Sequence, residues 1–386
     1  MRVLKFWEFF MELKERVLGC MVGGACGDAL GYGVEFLRLR EIKEKYGRDG
    51  ITELLESPAK ISDDTQMSLF TANGLLYGYT MAINRGVMGE YKDYVWLAYK
   101  DWLLTQIDQP IEKKHAWIFN LKELHNSRGP GATCIEAIAT SDKGGTIENH
   151  INTSKGCGGV MRVAPVGLLL NPDYIYHEAP EEYVCKVGAE VAALTHGHPL
   201  GYITAGFLCV LINRITYPQF YGEAGLEDNV RKSMKTTCNV FSNDEYSGVF
   251  SSIMEHAIEL AKGNLSDEDA VFTMGEGWTA EEAIGIATIC ALRHERDFKK
   301  ALICAANHDG DSDSTASITG NILGAHLGIA AVKKAFDVEK LEIRDAIETL
   351  AEDLAYAATQ SDYDADFESD DWAKKYIFVN YLEKNG

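Results

Sequence analysis

Gly19-Cys20-Met21-Val22-Gly23-Gly24-Ala25-Cys26-Gly27-Asp28-Ala29-Leu30-Gly31 and, far along the chain, Gly320-Asn321-Ile322-Leu323-Gly324-Ala325-His326-Leu327-Gly328 place glycine at every fourth position. A four-residue step stays on one face of an α-helix, so each stretch predicts a helix with a glycine stripe. Glycine inside a helix costs roughly 1 kcal/mol relative to alanine, so a run of them needs compensation. Either two helix backbones approach closely, or backbone is exposed to a ligand. A membrane-type small-residue interface does not fit, because Asp28 and Glu35 belong to the same region as the first stripe. Close packing inside a globular core is the simpler of the two readings.

Outward from these stripes, helical periodicity continues along most of the chain. Helices are expected over 10–31, 64–84, 89–106, 131–140, 179–195, 198–214, 226–240, 245–263, 279–292, 297–306, 313–334 and 338–358. Strand-like runs are short and few. The eight prolines fall at plausible element boundaries. No low-complexity linker and no repeat of fixed period divides the chain. The expectation is a single compact all-α, multi-helix domain over 1–386.

A chain of 386 residues with 46% hydrophobic content can bury a large core in one piece. Its formal net charge of -21 repels a phosphate backbone, which argues against nucleic acid as a partner. A phosphate-bearing ligand would need local help from cations or from N–H groups at helix N-termini. The longest apolar run, Leu200 to Ile212, is short of the ~20 residues a membrane span needs, so no membrane partner is expected. The opening MRVLKFWEFF is followed by Glu12 and Lys14 and reads as the start of an amphipathic helix rather than a signal peptide. Nine cysteines, an odd number without a CxxC pair, read as buried free thiols in a reducing compartment, hence a cytoplasmic protein.

Four segments carry chemistry. In Asn307-His308-Asp309-Gly310-Asp311-Ser312-Asp313-Ser314-Thr315, three aspartates alternate just before the second glycine stripe. Capping a helix needs one such side chain, whereas three carboxylates need a counter-charge. A hard cation with oxygen ligands would supply it. An EF-hand starting at Asp309 fails, since it puts Ser314 where glycine is required and Gly320 where a glutamate belongs. The acidic tail 362–366 fails the same test and reads as a solvated loop. The second segment, Ser62-Asp63-Asp64-Thr65, alone looks like a helix cap. Joined to the first it completes an all-oxygen set of Ser62, Asp63, Asp64, Asp311, Asp313 and Ser314, suited to Mg²⁺, Mn²⁺ or Ca²⁺. Four carboxylates suit two metals better than one. The third, Ser154-Lys155-Gly156-Cys157-Gly158-Gly159, is a tight turn or a phosphate cradle, but not a Walker loop. The fourth, Thr195-His196-Gly197-His198-Pro199, suggests a helix cap or core packing.

These segments, in this order, resemble the ADP-ribosylglycohydrolase family, which includes ADP-ribosyl-arginine hydrolases and dinitrogenase-reductase-activating glycohydrolases. Gly23 to Gly31 followed by Glu35-Phe36 is similar to the family's first helix and following glutamate. Gly310 to Ser314, continued by Gly320 to Ala325, is similar to its second metal motif. The resemblance covers about residues 17–330 and leaves 336–386 as a C-terminal helical extension without a role. It implies an all-α fold with a two-Mg²⁺ cleft, in which Mn²⁺ can substitute. Ser62, Asp63, Asp64, Asp311, Asp313 and Ser314 would be the ligands. Gly156, Cys157 and Gly158 would present backbone to ribose and diphosphate, with Arg162 and His196 supporting the pocket. Glu35 would act as a proton-transfer or gating carboxylate, and Asp63 or Asp64 could serve as the base. Serine stands for the commoner threonine at 62 and 314, and Asp309 stands where many members have glycine.

The implied activity is hydrolysis of the N-glycosidic bond of ADP-ribosyl-arginine on a protein, releasing ADP-ribose. The spelling Asp311-Ser312-Asp313-Ser314 is closer to the arginine-directed members. Cleavage of another conjugate, ADP-ribosyl-serine or O-acetyl-ADP-ribose, is the neighbouring alternative. A silent ADP-ribose-binding protein and an unrelated helical metal phosphohydrolase are the other classes. An aromatic side chain is expected to stack on the adenine.

Overall fold

The computed structural model describes residues 2–86, 89–107, 109–110, 113–175, 177–360 and 370–379. Among these the chain is helical, with no β-strand and only two isolated bridges, Ala59 with Leu341 and Gly156 with Thr279. The helices are α1 (Arg2–Tyr32), α2 (Leu39–Tyr46), α3 (Asp63–Arg85), α4 (Tyr91–Gln106), α5 (Ala132–Thr140), α6 (Ala164–Leu169), α7 (Pro180–Ala193), α8 (Pro199–Thr216) and α9 (Pro218–Tyr221). They continue as α10 (Leu226–Val240), α11 (Tyr246–Lys262), α12 (Asp267–Met274), α13 (Ala280–Arg293), α14 (Phe298–Ala306), α15 (Ser312–Leu327), α16 (Ile329–Ala335), α17 (Arg344–Ala357) and α18 (Asp370–Tyr376).

The expected helices are all present, with three departures. The stretch 313–334 is broken at Gly328, whose φ of 77° no helix accommodates. The expected 338–358 begins as a short 3₁₀ turn at Val338–Lys340 and becomes α-helical only at Arg344. The short helices α2, α6, α9, α12 and α18 lack the length that makes periodicity legible. The acidic run 362–366 lies outside the described residues.

The two glycine stripes meet. α1 and α15 run antiparallel, and a methyl group built on Gly23 would come within 2.6 Å of the Gly320 carbonyl oxygen. Methyl groups on Gly19, Gly27, Gly31 or Gly324 would overlap the facing backbone outright. Asn321 fastens the pair by donating to the Cys20 carbonyl at 2.9 Å. Close packing is therefore the reason for the stripes. Gly328 both ends α15 and lends its backbone to the contact, its carbonyl carbon lying 2.8 Å from a methyl group built on Gly19. The geometric consequence is that the C-terminal end of α1 lies against the N-terminus of α15.

α8 is long and apolar enough to cross a membrane by composition, but 94% of it is buried inside the molecule, against α6, α7 and α10. It is the centre of the core. The C-terminal stretch is integral as well. α17 packs on α1, Tyr79 of α3 donates to the Gln360 carbonyl at 2.8 Å, and Trp372 donates to Thr80 at 3.0 Å.

Candidate active site

α3 and α15 both begin at the end of α1, and both begin with carboxylates. Ser62 caps α3, its hydroxyl accepting from the Asp64 amide at 3.2 Å. Asp311 caps α15, accepting from the Ser314 amide at 3.2 Å. Helix N-termini present unpaired N–H groups and positive potential, which favours anionic side chains there. The anchor is Asp28 on α1. Its carboxylate accepts from the Ser62 amide at 3.0 Å and the Thr65 amide at 3.1 Å, and from the Thr65 hydroxyl. Asp28 is fully buried, and burial holds its carboxyl up at about 6 against those hydrogen bonds.

The two helix starts thus bring the two acidic segments together. Ser314 donates to Asp64 at 3.3 Å across the junction. Carboxylate oxygens of Glu35, Asp311 and Asp313 lie within 4.8 Å of one another, close enough to share a cation. Glu35 and Asp63 both face Gly129: a methyl group there would be 3.5 Å from one and 3.7 Å from the other. Asp63 is fixed by its amide donating to the Arg128 carbonyl and by an N–H from Gly131. Ser62, Asp63, Asp64, Asp311, Asp313 and Ser314 are all buried. Burial first, and neighbouring carboxylates second, push Asp63, Asp64 and Asp313 well above the usual range. Glu35 rises to about 8 for the same reasons, Asp311 and Asp28 being the neighbours.

This arrangement fits a cation. Among the described residues, none of these carboxylates is ion-paired with a lysine, arginine or histidine. One oxygen of Asp64 is buried without any partner. Buried carboxylates persist only when paired or coordinating, and an all-oxygen donor set suits a hard divalent ion.

The glycine-rich segment lies on the edge of this cluster, but differently from the expectation that its backbone is exposed. The Gly156 amide donates to Ser154 and the Cys157 amide to the Trp278 carbonyl. It is the Cys157 thiol that reaches the cluster, donating to Asp311 at 2.7 Å. His196 and Arg162 stand behind the loop. His196 packs under Gly158, 3.1 Å from a methyl group placed there, and burial keeps it neutral by lowering it to about 3. Arg162 is wholly buried, stacked on Tyr99 and donating to Thr195 at 2.7 Å, so it braces the wall and does not line it.

Several pairings escape motif reading, even where one partner belongs to a motif. Phe36, at φ 67° and 70% exposed, stacks on Trp278 at 5.4 Å beside Glu35. Asp309 accepts from the Leu39 amide at 2.6 Å and pairs with Arg38, tying the loop after α1 to the acidic segment. Arg128 and Glu342 form a buried ion pair, and Arg128 also donates to the Ile61 carbonyl, bracing the start of α3. No local signal in the sequence joins residues 214 positions apart.

The family model of the ADP-ribosylglycohydrolases matches residues 11–364. The chain belongs to the ADP-ribosylglycohydrolase family. The match extends past residue 330, consistent with Glu342 and α17 being structural parts of the domain. An ADP-ribosyl-[dinitrogen reductase] glycohydrolase of Rhodospirillum rubrum is 25% identical over 342 residues, covering 86% of this chain and 92% of that protein. An ADP-ribosylarginine hydrolase of Serratia proteamaculans is 36% identical over 77 residues, 20% of this chain and 21% of the relative. A solved ADP-ribosylglycohydrolase-related protein complex superposes with a TM-score of 0.60 at 19% identity, covering 90% of this chain and 99% of that one. That likeness bears on the fold, which is the all-α ADP-ribosylglycohydrolase fold. Family membership makes the chain an ADP-ribosyl hydrolase in general terms.

Proposed function

We propose that this ADP-ribosylglycohydrolase cleaves the N-glycosidic bond of ADP-ribosyl-arginine on a protein and releases ADP-ribose, with two Mg²⁺ ions held by Ser62, Asp63, Asp64, Asp311, Asp313 and Ser314. The observation that carries the reading is the meeting of two distant acidic segments around a buried centre, with an Asp64 oxygen lacking a partner. Two divalent ions would offset four carboxylates, orient the ribose hydroxyls and lower the pKa of water. Mn²⁺ would substitute. A relative named for ADP-ribosylated dinitrogen reductase supports a protein substrate, and one named as an ADP-ribosylarginine hydrolase supports the arginine linkage.

Breaking a glycosidic bond at the anomeric carbon passes through an oxocarbenium-like state, favoured by nearby negative charge and a protonated leaving group. The carboxylates supply the charge. Glu35 stands beside Asp311 and Asp313 at the edge of the cluster and could donate a proton to the departing guanidine nitrogen. Asp63, fixed by the Gly131 N–H, can accept a proton from attacking water. Phe36 and Trp278 offer an exposed aromatic surface for the adenine. Arg38, Arg40 and Lys43 line a groove next to Asp309, but each is already ion-paired with a carboxylate, so charge for the diphosphate would have to come from the bound cations.

The test is turnover by the purified chain, with Mg²⁺, of ADP-ribosyl-arginine and ADP-ribosyl-serine conjugates side by side. Release of intact ADP-ribose from the arginine conjugate is expected. Cleavage of the serine conjugate alone would reassign the linkage, and release of AMP or phosphate would reject the reading.

A further inference from the structure

Away from this cleft, α12, α13 and α14 bring four reactive side chains together. Cys290 and His294 lie one helical turn apart at the end of α13, Cys304 sits in α14, and Asp267 opens α12. The Cys290 thiol donates to the Cys304 sulfur at 3.0 Å. The Cys304 sulfur, a His294 ring nitrogen and an Asp267 oxygen all lie within 4.8 Å of one another. His294 Nε2 lies 2.8 Å from Asp267 Oδ2, and Arg293 donates to Asp267 Oδ1 at 2.8 Å. Cys304, His294 and Asp267 therefore form a chain of thiol, imidazole and carboxylate, in which the carboxylate orients the imidazole and the imidazole can hold the thiol's proton.

We propose that Cys290 and Cys304 form a reversible dithiol that a small peroxide oxidises to an intramolecular disulfide, with Cys304 as the attacking sulfur. The Cys304 thiolate attacks one peroxide oxygen and the O–O bond breaks. The departing oxygen takes a proton from the His294 imidazolium and leaves as water, and Cys304 becomes a sulfenic acid. The Cys290 sulfur, already in contact, then attacks the Cys304 sulfur. The S–O bond breaks, and a second water carries away the hydroxyl with the Cys290 proton. Two thiols and one peroxide give one disulfide and two waters.

Three observations separate this pair from the other cysteines. Its sulfurs touch. Its histidine–aspartate partner lies toward the surface, the Asp267 side chain being 40% exposed, and Cys304 itself keeps 8% exposure where Cys290 has none. And Cys304 is the one thiol drawn downward, to about 7 through its hydrogen bonds with Cys290 and His294, whereas burial drives Cys20, Cys26, Cys134, Cys157, Cys185 and Cys209 up. A low-pKa thiol with a resolving partner is the arrangement redox-sensitive cysteines share. A zinc site is less well served. Two thiolates on one tetrahedral zinc at about 2.3 Å would stand about 3.8 Å apart. Asp267 and His294 are moreover already matched to each other and to Arg293.

Trypsin cuts at Arg293 and so separates the two cysteines onto different peptides. The reduced full-length protein, loaded with Mg²⁺, is treated with equimolar hydrogen peroxide, alkylated and digested. The expected result is one cross-linked pair joining the Cys290 and Cys304 peptides, lost after dithiothreitol. In Cys290→Ser, dimedone should label Cys304. The pH midpoint for alkylating Cys304, near 7 in the wild type, should move toward the ordinary thiol range in His294→Gln. Both thiols remaining free after peroxide would overturn the proposal. So would dimedone labelling Cys290 in Cys304→Ser as fast as Cys304 in Cys290→Ser. Equimolar zinc that co-purifies with the wild type and is lost in Cys304→Ser would also overturn it.

Discussion

Replacing Asp313 with asparagine should stabilise the metal-free protein while abolishing its response to Mg²⁺. Asp313 has carboxylate neighbours in Glu35 and Asp311, with ligand oxygens within 4.8 Å. At an effective dielectric constant of about 20, two unit charges at that distance repel by about 3 kcal/mol. A carboxyl escapes part of this by taking up a proton, so the realised penalty is about 2–3 kcal/mol. Asparagine keeps an acceptor for the Ser314 amide but forfeits a charge at the α15 N-terminus, worth roughly 0.3–1 kcal/mol. The net gain is about 2 kcal/mol. Unfolding entropy of about 2.1 cal/mol/K per residue gives about 0.8 kcal/mol/K for this chain, so Tm should rise by about 2–3 °C in EDTA. The pH dependence has a definite sign. Carboxyls whose folded values are raised contribute stability that is full below their ordinary range and lost as pH rises through the raised values. The advantage of the variant should therefore be nil at about pH 4 and grow as pH rises through the raised range of Asp313. Thermal melts across this range, with EDTA or Mg²⁺, decide the matter. If the metal-free variant melts below the wild type, or if Mg²⁺ raises both equally, the charge argument is wrong.

Glu35→Gln should lower kcat on ADP-ribosyl-arginine by about 10²–10⁴ while Mg²⁺ still raises Tm, because a proton donor is lost while Ser62, Asp63, Asp64, Asp311, Asp313 and Ser314 and an amide oxygen at 35 remain. Gly324→Ala should cost about 1–3 kcal/mol or more in denaturant unfolding, since its methyl group overlaps the Gly19 carbonyl. Gly33→Ala, just past the end of α1 with nothing within 4 Å, should change stability by less than about 0.5 kcal/mol. Glu342→Leu should cost about 3–5 kcal/mol by leaving Arg128 buried and unpaired, and a Glu342→Leu, Arg128→Met double variant should recover most of it.

The fold was legible where one chemical fact repeats. Glycine every fourth residue twice over predicts two closely packed helices, and the structure adds only that the stripes pack on each other. The carboxylates were legible because three aspartates in five residues exceed what capping needs. What escaped was of two kinds. Asp28 carries no excess charge locally, and only the placement of α1 under the start of α3 turns it into the anchor for Ser62 and Thr65. Arg128 with Glu342, Cys157 with Asp311 and Phe36 with Trp278 are pairs joined through space, between segments whose periodicity says nothing of one another. The limit placed at about residue 330 failed for the same reason: the sequence of α17 shows a helix, but not that the turn before it holds the partner of Arg128.

The helix crossing and the acidic centre are one device. Glycine at Gly31 lets α1 lie directly on the backbone at Ser312 and Asp313, which a side chain there would prevent. That contact puts Asp28, and through it the N-terminus of α3, beside the N-terminus of α15. Two helix N-termini then share one region of positive potential, which tolerates carboxylates that burial alone would leave protonated. The backbone potential offsets only part of the charge, as the raised values of Asp63, Asp64 and Asp313 show. The remainder is a standing demand for cations. Widening the α1–α15 contact should therefore weaken Mg²⁺ binding as well as stability. A Gly27→Ala variant that still folds should need more Mg²⁺ to reach half its thermal shift, although residue 27 is no ligand. An unchanged Mg²⁺ midpoint in a folded Gly27→Ala protein would show that the cluster is assembled without the crossing.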